Sequence, residues 1–177
     1  MTIEQLPASL ELIFTAYEDA DAIFAALLPA LCDELDCDRC FFYFRNPHTK
    51  VGTITHCYRR DPKWDDLTSE DWKPEGNITE IDPLFAIAFQ TPESVYVDDI
   101  ETAGPDVVNL EFEREDYKHR ALIHTPIYHD GLMYGILEPC VFEHPRVWTE
   151  SDRQIISLLQ EKLGPLAVDY LNSIGKL

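Results

Sequence analysis

Three of the chain's five cysteines fall within LCDELDCDRCFFYF, residues 31–44. Their spacing, Cys32-x4-Cys37-x2-Cys40, matches the opening of a plant-type [2Fe–2S] ligand run, and its second half is a CxxC. The chemistry this offers is an iron–sulfur cluster, a zinc site or a redox dithiol, with His56-Cys57 the nearest source of further ligands. The surrounding residues argue against each. Cys32 ends a predicted helix and Cys40 opens a predicted strand. At ~3.3 Å per extended residue, Cys37 and Cys40 would lie about 10 Å apart along that path. That is too far for ~2.3 Å bonds to one metal without a tight turn. Asp33, Glu34, Asp36 and Asp38 would oppose an anionic cluster. A reactive thiol needs a helix N-terminus or a cation beside it, whereas Cys37 follows a helix C-terminus, with Arg39 its one favourable neighbour. Free cysteine is among the most buried residue types. Core packing is therefore the expected role, and Cys32, Cys37, Cys40 and Cys57 remain the alternative metal or redox site.

A second pair carries chemistry. His124 lies inside the strand-like RALIHTPIY, and Glu138 lies in the apolar YGILEPC. A carboxylate embedded in a strand needs a partner, and His124 across the hairpin is the candidate. Each residue reads as pocket or as satisfied core. No G-x-S-x-G, H-E-x-x-H, phosphate-binding glycine loop or G-x-G-x-x-G occurs. No catalytic residue is assigned, and the chain is expected not to be an enzyme.

The elements that must position these residues follow from periodicity. Leu10, Ile13, Phe14 and Tyr17 predict a helix over 8–18, and Ile23, Phe24, Leu27, Leu28 and Leu31 a second over 21–35, which Pro29 would kink. RCFFYFR reads as a buried strand, and VGTITHCYR (51–59) as its antiparallel partner. Residues 60–79 form a long polar loop holding Trp64 and Trp72, then 82–90 a short helix, SVYVDDI a strand, and 110–120 a charged helix. A hairpin turns at His129-Asp130-Gly131. The last helix begins at a capping box of Thr149 and Asp152 and carries the stripe Ile156, Leu159, Leu163, Leu166, Tyr170, Ile174, bent at Gly164-Pro165. This order predicts an α+β fold: an antiparallel sheet with the N- and C-terminal helices on one face and a loop-covered pocket on the other.

The length, 177 residues, predicts one domain. The 45% apolar content supplies a core. There are 33 acidic and 14 basic side chains, a formal charge of −19. That surface repels phosphate backbones and anionic lipid, so neither nucleic acid nor membrane is an expected partner. MTIEQLPASLE reads as no signal peptide, and an odd number of cysteines, five, suits a reducing, cytoplasmic setting.

LDCDRCFFYFRNP, VYVDDI, ALIHTPIYHDGLMYGIL and PRVWTESDRQIISLLQEKLGPLAVDYL, in this order, resemble a GAF domain over about residues 8–175. The resemblance is nearest to the phytochrome and cyanobacteriochrome subgroup. It implies a linear-tetrapyrrole pocket, but the attachment cysteine is missing from ETAGPDVVNLEFEREDYKHR. Leu84 stands for the second cysteine in Asp82-Pro83-Leu84-Phe85, and Glu138 stands for a histidine beside the chromophore. The resemblance implies pocket residues Asp82, Leu84, Phe85, Tyr96, Tyr117, His124 and Glu138. No cofactor is expected, with a non-covalent bilin as the alternative. The expected function is a stand-alone sensory or regulatory module, homodimeric through its terminal helices, acting on a protein partner.

Overall fold

The structure, a computed structural model, describes residues 4–177. Residues 1–3, the start of the stretch read for a signal peptide, lie outside the described residues. Helix α1 (Ala8–Ala16) stops where Tyr17 turns extended, which leaves that ring exposed rather than on the apolar stripe. Helix α2 (Ala20–Leu35) starts at Asp19, whose carboxylate accepts the Ala22 N–H at 3.0 Å. It runs through Pro29 and ends at Asp36, left-handed at φ 47°. Its buried Ile23, Phe24, Leu27, Leu28 and Leu31 recur at the helical period and face the sheet.

The sheet comprises β1 (Arg39–Asn46), β2 (Val51–Arg59), β3 (Lys73–Pro74), β4 (Val95–Val97), β5 (Ala121–His129) and β6 (Leu132–Val141). Their order is β3-β2-β1-β6-β5-β4, every pairing antiparallel. The β5–β6 turn places Asp130 and Gly131 at φ 48° and 78°, the primed-turn geometry that Asp-Gly favours. Helix α6 (Glu150–Ser173) opens with the full Thr149/Asp152 capping box and continues through Pro165. Gly164 lies against the Tyr128 carbonyl, where a Cβ would collide, so this glycine lets α6 rest on β5.

Period-two alternation sorts side chains between two faces. Cys40, Phe42, Phe44, Ile123 and Leu137 join α1, α2 and α6 in the main core. Phe24 sits at its centre, 4.8 Å from the rings of Phe42 and Phe44 and 5.7 Å from those of His56 and Tyr170. Burial of such rings is worth about 1.5–3 kcal/mol each. The opposite face carries Phe41, Tyr43, His124, Ile136 and Glu138.

Two segments differ from their sequence reading. The 60–79 loop contains β3 and the start of helix α3 (Ile78–Ile81), which leads into α4 (Pro83–Ala88). It is pinned by Trp64, which stacks on Phe142 at 3.9 Å, while the Arg39 guanidinium lies 4.8 Å over the same Phe142 ring. The helix expected over 110–120 is one turn, α5 (Leu110–Phe112), followed by a π-helical turn over Glu113–Tyr117 that ends at left-handed Lys118. With few apolar anchors the segment has no stripe to bury, so hydrogen bonds to neighbouring elements shape it instead.

Candidate functional site

A cavity of about 190 Å³ lies over the face of the sheet turned away from the long helices. Its floor is β1, β2, β5 and β6, which contribute Phe41, Tyr43, Ile54, His124, Ile136 and Glu138. A strap formed by β3 and the residues after it supplies Lys73, Pro74, Glu75 and Ile78. The α4 segment supplies Asp82 and Phe85, and the π-turn supplies Glu113 and Tyr117. Gly52 matters here because a Cβ would strike the Tyr43 ring; its absence lets that ring lie over β2.

Each wall is tied to the sheet. Arg45 holds the strap: its guanidinium bonds both Glu75 carboxylate oxygens and donates to the Met133 carbonyl at 2.8 Å. The Tyr43 hydroxyl donates to the same carboxylate at 3.0 Å. Asp82 caps α4, accepting the Leu84 N–H on Oδ1 at 2.9 Å. Tyr117 is stacked between Phe41 and His119 at 6.0 and 5.4 Å, and its carbonyl accepts from Arg39 at 2.9 Å.

A buried polar network runs beneath the cavity. His124 Nδ1 and Glu138 Oε2 are 2.6 Å apart. Glu138 Oε1 lies 3.8 Å from His119 Nδ1, and His119 Nε2 bonds Glu113. Burial disfavours the Glu138 anion, but the bond to His124 together with electrostatic attraction from His124, His119 and Arg39 outweighs that and lowers its pKa. Burial likewise disfavours both imidazolium ions. The Glu138 bond nevertheless raises His124, and contacts with Cys140 and Glu113 lift His119 to about 10. Burial raises Asp82 to about 6. His124 Nε2 is buried without a hydrogen-bond partner among the described residues, on a side chain that lines the cavity. An unmet buried polar atom of this kind costs about 1–3 kcal/mol, so the site holds an interaction in reserve.

Of the residues singled out from the sequence, Asp82, Phe85, Tyr117, His124 and Glu138 line the cavity together. Leu84 and Tyr96 do not. Leu84 is one helical step from Phe85 and packs instead with Val97, Ile100, Val108 and Leu122. Tyr96 pairs with Ile123, so the pleat turns it to the helix side, where Arg153 lies 4.1 Å over its ring. Sequence reasoning missed Tyr43, Glu75 and Glu113. Period-two alternation from Phe41 would have found Tyr43. Glu75 and Glu113 lie in irregular segments with no periodic signal.

The cysteines are separate from this cavity. Cys32, Cys37 and Cys40 are buried in the helix-side core, and Cys57 is half-buried on β2. The Cys37 N–H bonds back to the Cys32 carbonyl at 3.0 Å, which brings the two sulfurs to 3.0 Å. Burial pushes the Cys37 thiol well up and that of Cys40 to about 12. Burial thus favours the neutral thiol over the thiolate that attacks disulfides. Among the described residues no group of three or more His, Cys, Asp or Glu is arranged to hold a metal ion. Nor is any described helix long and apolar enough to cross a membrane.

Comparison with known proteins places this geometry. The family model described as GAF domain matches residues 18–165. The circadian input-output histidine kinase CikA of Synechocystis is 28% identical over 131 residues, 71% of this chain. The chain spans only 16% of that protein's length. Among solved structures, a far-red-absorbing dark state with bound biliverdin IXα superposes at TM-score 0.72 with 16% identity, over 92% of this chain and 98% of that one. The photoproduct state of the third GAF domain of Slr1393 from Synechocystis gives 0.66 at 24% identity, over 88% and 96%. The GAF domain of an Acinetobacter phosphoenolpyruvate-protein phosphotransferase gives 0.68 at 12% identity, over 96% of each. Identities this low show a shared fold.

Proposed function

Because the chain belongs to the GAF domain family, we propose that it is a non-catalytic sensory module that takes a small molecule into the cavity over its sheet and reports it through protein contacts. One observation carries this reading: a cavity with aromatic walls holds a buried His124 Nε2 that has no partner among the described residues. A group left unmet in the free protein is a group a ligand can satisfy. The test is native mass spectrometry of the protein purified from its own host, with the Ile54→Trp variant, which fills the cavity, as control. The expected result is a small-molecule adduct on the parent and none on the variant. A bare parent protein overturns the reading.

A bilin is the second reading, favoured by the likeness to the biliverdin-bound structure. A thioether does not fit, because no cysteine among the described residues lines the cavity. At about 190 Å³ the cavity is also below the ~300–1,000 Å³ usual for drug-sized ligands. Only a non-covalent bilin, with the strap opened, remains. A coloured eluate from a bilin-producing host supports it and a colourless one excludes it.

The partner in this reading is a protein, since a formal charge of −19 repels nucleic acid and anionic membrane. Self-association through the terminal helices would cover Leu12 on α1, which is 65% exposed. Sedimentation equilibrium is expected to give a dimer that Leu12→Glu weakens.

A further inference from the structure

The strap that closes the cavity also touches the residues that follow α6. Its chain passes round the edge of the sheet. Glu75 lines the cavity, whereas Trp72, just before β3, packs against the helix-side core. Only Lys73 and Pro74 lie between them, and the Pro74 ring fixes its own φ, so the span is too short and stiff for its two ends to move separately. The strap itself is lightly held. β3 pairs only with Val51 and Gly52, and Pro74 has no N–H to give to the ladder. On the cavity side its main tie is Glu75, gripped by Arg45 and Tyr43.

On the helix side Trp72 meets the end of α6. Gly175 turns left-handed at φ 70°, its N–H bonds the Asn172 carbonyl at 3.1 Å, and the Lys176 N–H bonds the Leu171 carbonyl at 2.8 Å. This pair of bonds caps the helix and turns the chain away from its axis. Lys176 Nζ then lies 5.1 Å from the centre of the Trp72 ring, and the Lys176 carbonyl accepts from Asn46 Nδ2 at 2.8 Å. Asn46 follows Arg45 on β1, and the pleat turns successive side chains to opposite faces. Arg45 grips the strap on the cavity side while Asn46 grips residue 176 on the other. Strap and helix cap are thus joined twice, through neighbouring residues of β1 and directly through Trp72.

We propose that the strap and the α6 cap move as one unit: when the strap lifts from the cavity, Trp72 withdraws from Lys176 and residues 174–177 loosen. The open or closed state of the cavity is then readable at the C-terminal end of α6, on the opposite face of the sheet. This goes beyond the sensory reading above, because the coupling belongs to the free protein and holds whether or not a ligand is found. Coupling is reciprocal, so loosening the cap must loosen the strap.

Hydrogen exchange of the full chain, read by mass spectrometry, tests both directions. Glu75→Gln weakens the latch on the cavity side and leaves the cap's own contacts in place. It is expected to speed exchange in peptides covering 172–177 by about fivefold or more, the lower end of typical coupling between sites, and to leave α2 unchanged. Asn46→Asp keeps the side-chain oxygen that accepts the His48 and Thr49 N–H groups and removes the donor to Lys176. It is expected to speed exchange of the Glu75 N–H, which bonds the Lys50 carbonyl at 2.9 Å. Unchanged exchange over 172–177 in Glu75→Gln overturns the proposal. So does an increase of equal size in α2, which would be general loosening rather than coupling. Should Glu75→Gln fail to fold, Asn46→Asp carries the test, and an unchanged strap in that variant overturns it. A failed adduct experiment bears on the sensory reading and leaves this result untouched.

Discussion

The two faces of one sheet are built to opposite rules. The face under α1, α2 and α6 is filled by aromatic and aliphatic side chains and three neutral thiols, with Phe24 in contact with four rings. The face under the strap buries Asp82, Glu113, His119, His124 and Glu138 around a cavity. Nearest neighbours along β1 belong to different faces: Phe42 and Phe44 point to the core, Phe41 and Tyr43 to the cavity. Removing water stabilises the first face, whereas on the second it imposes a cost that paired charges only partly offset. The contrast shows where stability is held and where it is given up for a site.

Four substitutions test the contrast. The largest effect is expected at the core: Phe24→Ala removes the ring that joins α2 to β1 and α6, and should cost about 3–5 kcal/mol in denaturant unfolding. A loss below about 1 kcal/mol would mean that the helix side does not hold the fold. Next is Glu138→Gln, which leaves two buried histidines without their shared carboxylate. Breaking a buried pair costs about 3–5 kcal/mol, and the glutamine amide, which can still hydrogen-bond His124, holds the loss near the lower figure. The pH signature of this network lies elsewhere, at His119, which Cys140 and Glu113 rather than Glu138 hold up. His119 titrates at about 10 when folded against 6.5 ordinarily. Its contribution is therefore fully present below pH ~6.5 and lost as pH rises toward 10. Titration by NMR of the imidazole carbons checks this directly.

Asp82→Asn should move stability the other way. The folded carboxyl is raised from 3.8 to about 6 by burial, so ionisation is unfavourable in the folded protein and stability falls as pH rises from about 4 through 6. Asparagine keeps the cap and removes the charge. Each tenfold change in proton affinity is worth ~1.4 kcal/mol, so the variant is expected to gain about 3 kcal/mol at pH 7.5 and nothing at pH 3.5. A loss at both pH values would place Asp82 among the stabilising residues and erase the distinction between the faces. The smallest effect is expected from Cys32→Ala, about 1 kcal/mol for one buried group, with no dependence on added zinc or iron. A melting temperature that follows metal concentration would restore the cluster reading of Cys32, Cys37 and Cys40.

Much of this was legible in the chain. The stripes of α2 and α6, the Asp-Gly turn and the alternation of RCFFYFR set the elements, because each rests on local periodicity or turn chemistry. The His124–Glu138 pair was legible too, since hairpin register follows from the turn and a carboxylate in an apolar strand demands a partner. Tyr96 was misread because a strand of three residues gives too little alternation to fix its phase. Leu84 was misread because helix α4 has six residues, too few to define a face.

The sequence by itself determined the long helices and the main strands, the apolar helix face and the absence of a cysteine at the positions the resemblance assigns to attachment. Only the tertiary structure decided that Glu75 and Glu113, 38 residues apart by their numbers, close over one cavity. It also decided that Arg45 latches the strap and that His124 Nε2 is left without a partner among the described residues. Those facts depend on how irregular segments cross the sheet, and such segments are shaped by long-range hydrogen bonds rather than by local period. The CxxC-like run shows the same division: its spacing is that of a ligand run, and the fold of the helix-to-strand entry packs its sulfurs into the helix-side core.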